Sequence, residues 1–168
     1  MPEVVSNSSP LIYLARLQRL DLLRQLFEKI FIPSAVWQEI AIDGAKNPEG
    51  PQLKEARARG WIIMESLAHP QSLLDVSLSM LGAGEREAIL LARDKKTLLI
   101  IDELEGRRVA ARLGIACTGT LGVLVEAKLR GFIPDVRSEL DRLKSETNFR
   151  FTDELFECAL KQAGEFPG

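Results

Sequence analysis

Histidine and cysteine are nearly absent from this 168-residue chain, which has one His and two Cys. So few soft ligands turn attention from zinc to oxygen donors, and a chain of this size can bury its core without disulfides. Cys117 and Cys158 lack metal-ligand spacing and lie in apolar contexts, so they read as reduced core residues of a cytosolic protein. His69, beside Pro70 in a polar connection, reads as a surface residue, and no Ser-His-Asp or Cys-His set can be assembled. Aromatic residues are 6% of the chain, and Trp37 and Trp61 are expected in the core rather than as stacking platforms. No run approaches the ~20 apolar residues of a membrane span. Met1-Pro2-Glu3 opens without the basic region of a signal peptide, so a cytoplasmic location is expected. Charge of one sign is also missing. Lys and Arg number 22 against 24 Asp and Glu, a net charge of −2, so nucleic-acid binding would need a local basic patch. There is no internal repeat and no low-complexity segment.

What is present suits one soluble domain: 46% hydrophobic and 27% charged residues are enough for a buried core. Apolar runs at Val4–Ser6, Lys29–Ile32, Trp61–Glu65, residues 98–101 and Ile115–Thr118 read as strands. Between them the spacing predicts helices: one capped by Ser9 with Pro10 in its first turn, then about Asp21–Glu28, Pro33 to about Ile42, Gln52–Arg59, Leu73–Leu81, Glu85–Arg93, about 103–113 and about 120–130. Residues 43–51 carry loop chemistry, Gly60 ends a helix, and two further helices, about 134–146 and 152–164, close the chain. This alternation predicts an α/β fold, a parallel central sheet flanked by helices. The two C-terminal helices carry apolar rows, Val136, Leu140, Leu143 and Leu155, Phe156, Ala159, Leu160. They are expected to cover a sheet flank or a homodimer interface.

Asp102 stands directly after the aliphatic run Leu98-Leu99-Ile100-Ile101, where open α/β sheets place their binding crevice. Asn7 follows the first strand in the same way. Ile32, Ala35, Val36 and Glu39 recur at helical spacing, as do Glu85, Ala88, Ile89 and Ala92, which sets both glutamates on apolar stripes. A carboxylate on a sheet-facing stripe is costly unless it is paired or binds a cation. The bland alternative is that Glu85 favours a helix N-terminus and Asp102 caps the next helix. Taken as a set, these oxygen donors point to a hard divalent metal. Glu87 and Glu103 show no comparable placement.

Val4-Val5-Ser6-Asn7-Ser8-Ser9-Pro10-Leu11-Ile12 resembles the opening strand and turn of PIN domains, which are metal-dependent nucleases. Ile32-Pro33-Ser34-Ala35-Val36-Trp37-Gln38-Glu39-Ile40 is similar to their second-acid helix, Gly82-Ala83-Gly84-Glu85-Arg86-Glu87-Ala88-Ile89 to their third, and Leu99-Ile100-Ile101-Asp102 to their fourth acid after a strand. Thr118-Gly119-Thr120-Leu121-Gly122 resembles a segment of one prokaryotic branch. The resemblance covers about residues 3–132 and implies one PIN-like domain over residues 1–168. It also implies hydrolysis of RNA phosphodiesters with Mg²⁺ or Mn²⁺ held by Asn7, Glu39, Glu85 and Asp102. Many prokaryotic members are toxins paired with a small antitoxin protein. The chain departs from the pattern at Asn7, where most PIN domains carry aspartate. An amide carbonyl can ligate a metal but brings no charge.

Ser8, Thr118, Thr120 and Arg107 are candidate substrate contacts. Two readings of Thr120 stand: a phosphate ligand at a helix N-terminus, or an ordinary N-cap. Arg107, Arg108 and Arg112 line an RNA groove or form a solvated face. Gly82-Ala83-Gly84 lacks the third glycine and preceding strand of a dinucleotide fingerprint. Two rival functions remain: a catalytically weak PIN-like module that binds RNA or a protein partner, and a phospho-acceptor receiver domain. The second expects an acidic pair after the first strand, where this chain has Asn7-Ser8.

Overall fold

The computed structural model describes residues 2–43, 47–69 and 78–165. Five parallel strands form its sheet: β1 (Val4–Ser6), β2 (Ile30–Ile32), β3 (Ile62–Met64), β4 (Leu98–Ile100) and β5 (Cys117–Thr118), in the order β3-β2-β1-β4-β5. Val4, Val5, Ile30, Ile32, Leu99 and Ile100 are all sealed from solvent. This is what a parallel sheet covered on both faces requires, and it explains the unbroken apolar runs. In register, Val4 meets Ile30 on one side and Leu98 on the other, and Ser6 meets Ile100.

The helices are α1 (Ser8–Arg16), α2 (Asp21–Leu26), α3 (Ser34–Trp37), α4 (Glu49–Ala58), α5 (Ala83–Lys95), α6 (Leu104–Arg112), α7 (Thr120–Leu129), α8 (Val136–Glu146) and α9 (Asp153–Gln162). The chain order reverses between β1 and β4, the neighbours at the centre of the sheet. In open α/β sheets the binding crevice lies outside the carboxyl ends of the strands at such a switch point. Asn7 leaves β1 there, its amide bonded to the Ile100 carbonyl at 2.9 Å, and Asp102 leaves β4 beside it.

Several boundaries differ from the sequence reading, each for a physical reason. The first helix starts at Ser8 with Asn7 as its cap residue, not Ser9, because the side chains of Asn7, Ser8 and Ser9 are all drawn to acids elsewhere. Pro10 therefore sits in the third helical position, still in the turn where no intrahelical N–H is needed. The helix expected from Pro33 to Ile42 runs as α3 for four residues and then widens into a π-helical turn, Gln38–Asp43. Glu49, Gly50 and Pro51, read as loop, form the first turn of α4. The Gly82-Ala83-Gly84 break is shorter than expected: Gly82 caps α5 and Gly84 lies inside its first turn. The helix predicted at Leu73–Leu81 lies largely outside the described residues.

The C-terminal helices close the core. α8 and α9 pack on α7, with Val136, Leu140, Leu143 and Leu160 fully buried. Both helices are properly capped, Asp135 accepting from the Ser138 amide and Thr152 from the Leu155 amide. Arg19 clamps buried Glu139 at 2.6 Å, and Arg142 reaches the Leu17 carbonyl at 2.9 Å, tying α8 to the α1–α2 connection. Leu155 departs from the expected apolar row and is 51% exposed.

Candidate active site

The carboxyl ends of β1 and β4 and the N-terminal turns of the surrounding helices gather the predicted residues. Asn7 is 3% exposed. Its Nδ2 donates to Glu103 Oε2 at 3.0 Å, and its Oδ1 is buried with no hydrogen-bond partner. Reversing the amide would set its oxygen against a carboxylate, so the orphaned atom is the carbonyl oxygen. An unpartnered buried acceptor costs roughly 1–3 kcal/mol. Its retention beside acids marks a position suited to a cation.

Ser9 Oγ donates to the other oxygen of Glu103 at 2.6 Å. Glu103 is thus fixed by two residues of the β1–α1 turn, 94 and 96 positions away. In the sequence Glu103 stands on no apolar stripe and does not directly follow a strand, so it shows no placement comparable with the other acids. The signal that would have found it is the Asn7–Ser9 donor pair, which needs a buried acceptor.

Glu39 accepts a very short hydrogen bond from Ser8 Oγ. The helical phase had put Glu39 on the apolar stripe. Instead Val36 and Ile40 are buried, and Glu39, on the π-helical turn, is exposed and faces the β1–α1 turn. Single-turn π segments recur at functional sites. Gly84 makes the approach feasible: a Cβ there would stand 2.5 Å from Glu39 Oε1.

Glu85 begins the stripe completed by Ala88, Ile89 and Ala92, all buried, as expected. Its carboxyl lies against Gly106 of α6, whose Cβ would stand 3.1 Å from Oε2. Burial first, then repulsion from Glu103 and Glu39, push its pKa above the usual glutamate value. Those couplings place Glu39, Glu85 and Glu103 in one electrostatic neighbourhood.

Asp102 does not cap α6. Its two oxygens accept from the amide and hydroxyl of Thr120, each at 2.7 Å, at the start of α7. Thr120 is fully buried and both its donors are engaged, so it positions Asp102 instead of presenting a hydroxyl to substrate; Gly119, not Thr120, is the cap residue. Burial raises the Asp102 pKa and Glu103 adds to it, while the Thr120 bonds and Arg107 oppose the rise. Arg107 is exposed, with Nη1 beside Gly119. Thr118 is half-buried and packs under Gly122.

Among the described residues no three His, Cys, Asp or Glu side chains form a ready-made metal cage. The acids share one edge of the sheet, but Glu39, Asp102 and Glu103 are each held by their own hydroxyl or amide donor. The donor set is nevertheless all oxygen and includes one unpartnered buried carbonyl, and it fits a hard divalent cation. The cysteines lie outside it; Cys117 is half-buried and Cys158 is exposed on α9, not in the core. Trp61 is buried as expected, whereas Trp37 is half-buried under the Arg57 guanidinium at 4.4 Å. His69 is exposed.

Residues 3–165 match the family described as DUF3368, a PIN domain. The chain belongs to the PIN domain family, whose members are generally nucleases and usually bind divalent metals. Among solved structures it is similar to a PilT N-terminus domain protein from the hyperthermophilic archaeon Sulfolobus solfataricus, at 17% identity, covering 90% of this chain and 98% of that one with a TM-score of 0.47. It is also similar to a domain of a functionally unknown protein from Methanocaldococcus jannaschii, at 16% identity, covering 71% and 91% with a TM-score of 0.48. No curated protein matches the sequence. Among the described residues no helix is long and apolar enough to cross a membrane.

Proposed function

We propose that this protein is a divalent-metal-dependent endoribonuclease, with Asn7, Glu39, Glu85 and Asp102 as the metal-holding set and Glu103 as a fifth oxygen donor. The observation that carries the reading is the orphaned carbonyl oxygen of Asn7, buried at the sheet's switch point on a side chain bonded to Glu103, the acid that couples to Glu85 and Asp102. Mg²⁺ or Mn²⁺ bound there would supply Lewis-acid activation of a water and neutralisation of charge at phosphorus. The protein's own contribution is orientation. Thr120 holds Asp102 by two bonds, and Ser8 and Ser9 hold Glu39 and Glu103. Burial and the neighbouring acids raise the pKa of Glu85, which suits that carboxyl to hold and release a proton. Arg107 stands where a phosphate next to Asp102 would need a cation.

The finer reading is a cytoplasmic toxin that cleaves RNA and is restrained by a small antitoxin protein. Growth arrest on expression, relieved by the partner, is its test. A second reading, a catalytically weak module that binds RNA or a protein, is favoured by one observation: Asn7 offers no charge to a metal. Incubation of labelled single-stranded RNA with Mn²⁺ separates the two. Cleavage by the wild type and none by Glu85→Gln or Asp102→Asn supports the enzyme. Binding without cleavage supports the module.

A further inference from the structure

Beside the carboxylates, a groove of about 640 Å³ begins at Asp102 and runs between α7 and α9. Its wall carries two aromatic rings among aliphatic side chains. Phe149 and Phe151 stand 6.0 Å apart in the segment joining α8 to α9. Tyr13 meets Phe149 edge-on at 4.9 Å, and Phe156 stacks on Phe151 at 5.9 Å, so the row extends in both directions. Burial, then the charges of Asp102 and Glu103, raise the Tyr13 pKa against the pull of Arg16 and Arg150, so that end of the row is the one nearer the acids.

The charge in the groove is as informative as its apolar wall. Arg107 and Arg150 both line it. Several arginines elsewhere sit on carboxylates: Arg16 on Glu49, Arg19 on Glu139, Arg108 on Glu105, Arg130 on Glu126. Arg107 has no ion pair among the described residues, and Arg150 donates only to the Phe149 carbonyl at 3.3 Å. The one acid lining the groove, Asp102, has both oxygens occupied by Thr120. Two guanidiniums without an ion-pair partner among the described residues, Arg107 feeling only the nearby charge of Asp102, flank aromatic rings and match a nucleotide: base on ring, phosphate on cation. A polypeptide partner would fill the apolar wall but would need its own acids placed at both arginines.

We propose that this groove seats the nucleoside adjoining the cleaved phosphate of single-stranded RNA, its base against Phe149 and Phe151 and its phosphates on Arg107 and Arg150. The choice of RNA rests on the nuclease reading of the neighbouring acids. A paired base offers no free face, so duplex RNA is excluded from the groove.

The test is fluorescence anisotropy of the full chain with 5′-labelled oligouridylate in EDTA, which prevents metal-dependent hydrolysis. A matching oligomer with abasic sites is run in parallel. Arg150→Glu and Arg107→Glu should each weaken binding about tenfold and flatten its salt dependence. Phe151→Leu should weaken the intact oligomer by about tenfold and the abasic one little, with Phe151→Tyr restoring it. Arg130→Glu, a charge reversal outside the groove, should leave binding unchanged, and melting temperatures verify that each variant is folded. Equal affinity for intact and abasic oligomers, wild-type affinity in the arginine variants, or no binding by the wild type would overturn the proposal. The last result would leave the groove to a polypeptide. Arginine-dependent binding without Mn²⁺-dependent hydrolysis supports the groove and sinks only the nuclease reading. Hydrolysis with unaltered binding in the groove variants does the reverse.

Discussion

Gly84→Ala should disable the protein without unfolding it. Gly84 lies in the first turn of α5 with ordinary helical backbone, so alanine meets no conformational strain and gains roughly 0.5–1 kcal/mol of helix preference. For a chain of this length that gain alone is a melting shift of about 2–4 °C per kcal/mol. The new Cβ, however, would stand 2.5 Å from Glu39 Oε1 and 3.0 Å from Cδ and Oε2, where ordinary contact begins at 3.4 Å. The carboxylate must retreat by about 0.9 Å. Glu39 is exposed, so it can move without breaking the core, and the Ser8 bond breaks instead. A displacement near 1 Å at a reacting centre costs on the order of 10²-fold in rate. The assay pairs differential scanning fluorimetry, with and without Mn²⁺, against cleavage of labelled single-stranded RNA. Stranding the buried Ser8 hydroxyl costs roughly 1–3 kcal/mol and offsets the helix gain, so we expect a melting temperature in EDTA within a few degrees of the wild type, a smaller Mn²⁺-induced rise, and about a hundredfold lower cleavage. Full cleavage with an undiminished Mn²⁺ shift would show that the position of Glu39 does not matter.

Other outcomes follow from the same geometry. The raised pKa of Glu85 means that its contribution to stability is present while the carboxyl is protonated and is lost as pH rises through the folded-state pKa. Glu85→Gln should therefore melt close to the wild type in acid and higher near neutral pH without metal; a gap that widens toward acid would contradict this. Thr120→Val removes the hydroxyl bond to Asp102 Oδ2, raising the Asp102 pKa further and shifting the acid limb of the pH–rate profile upward, whereas Thr120→Ser should restore it. Leu140→Ala, at a fully buried site, should cost roughly 2–5 kcal/mol by cavity formation, measured by urea denaturation. Deleting α8 and α9 should yield aggregated protein, because α7 then loses its cover.

Local pattern carried the sequence reading a long way, and long-range partnership set its limit. The double-sided burial of β1, β2 and β4 is written in their aliphatic runs, and a parallel sheet with acids at its carboxyl edge follows from it. Asn7 and Asp102 were legible because each directly follows such a run. Glu85 was legible because its helix keeps α periodicity. Glu39 was half legible: the residue was found, but the π-helical turn that exposes it has no local signature. Glu103 was missed because its donors lie at Asn7 and Ser9, on the far side of the chain. The bonds from Thr120 to Asp102 carry no local signal, because the two residues are 18 positions apart. Cys158 was expected in the core because its neighbours are apolar, yet it lies on the face of α9 that lines the groove.

The most direct test of the central claim is titration calorimetry with Mn²⁺ on the wild type, Asn7→Asp and Asp102→Asn. In the aspartate variant the bond from Asn7 Nδ2 to Glu103 is replaced by carboxylate repulsion, so the metal-free protein should melt lower. The added charge should strengthen Mn²⁺ binding by about tenfold, a gain that grows with pH as the crowded carboxylates ionise. Asp102→Asn should weaken binding by a similar factor. Equal affinity in all three proteins would contradict the account, because neither position could then touch the metal.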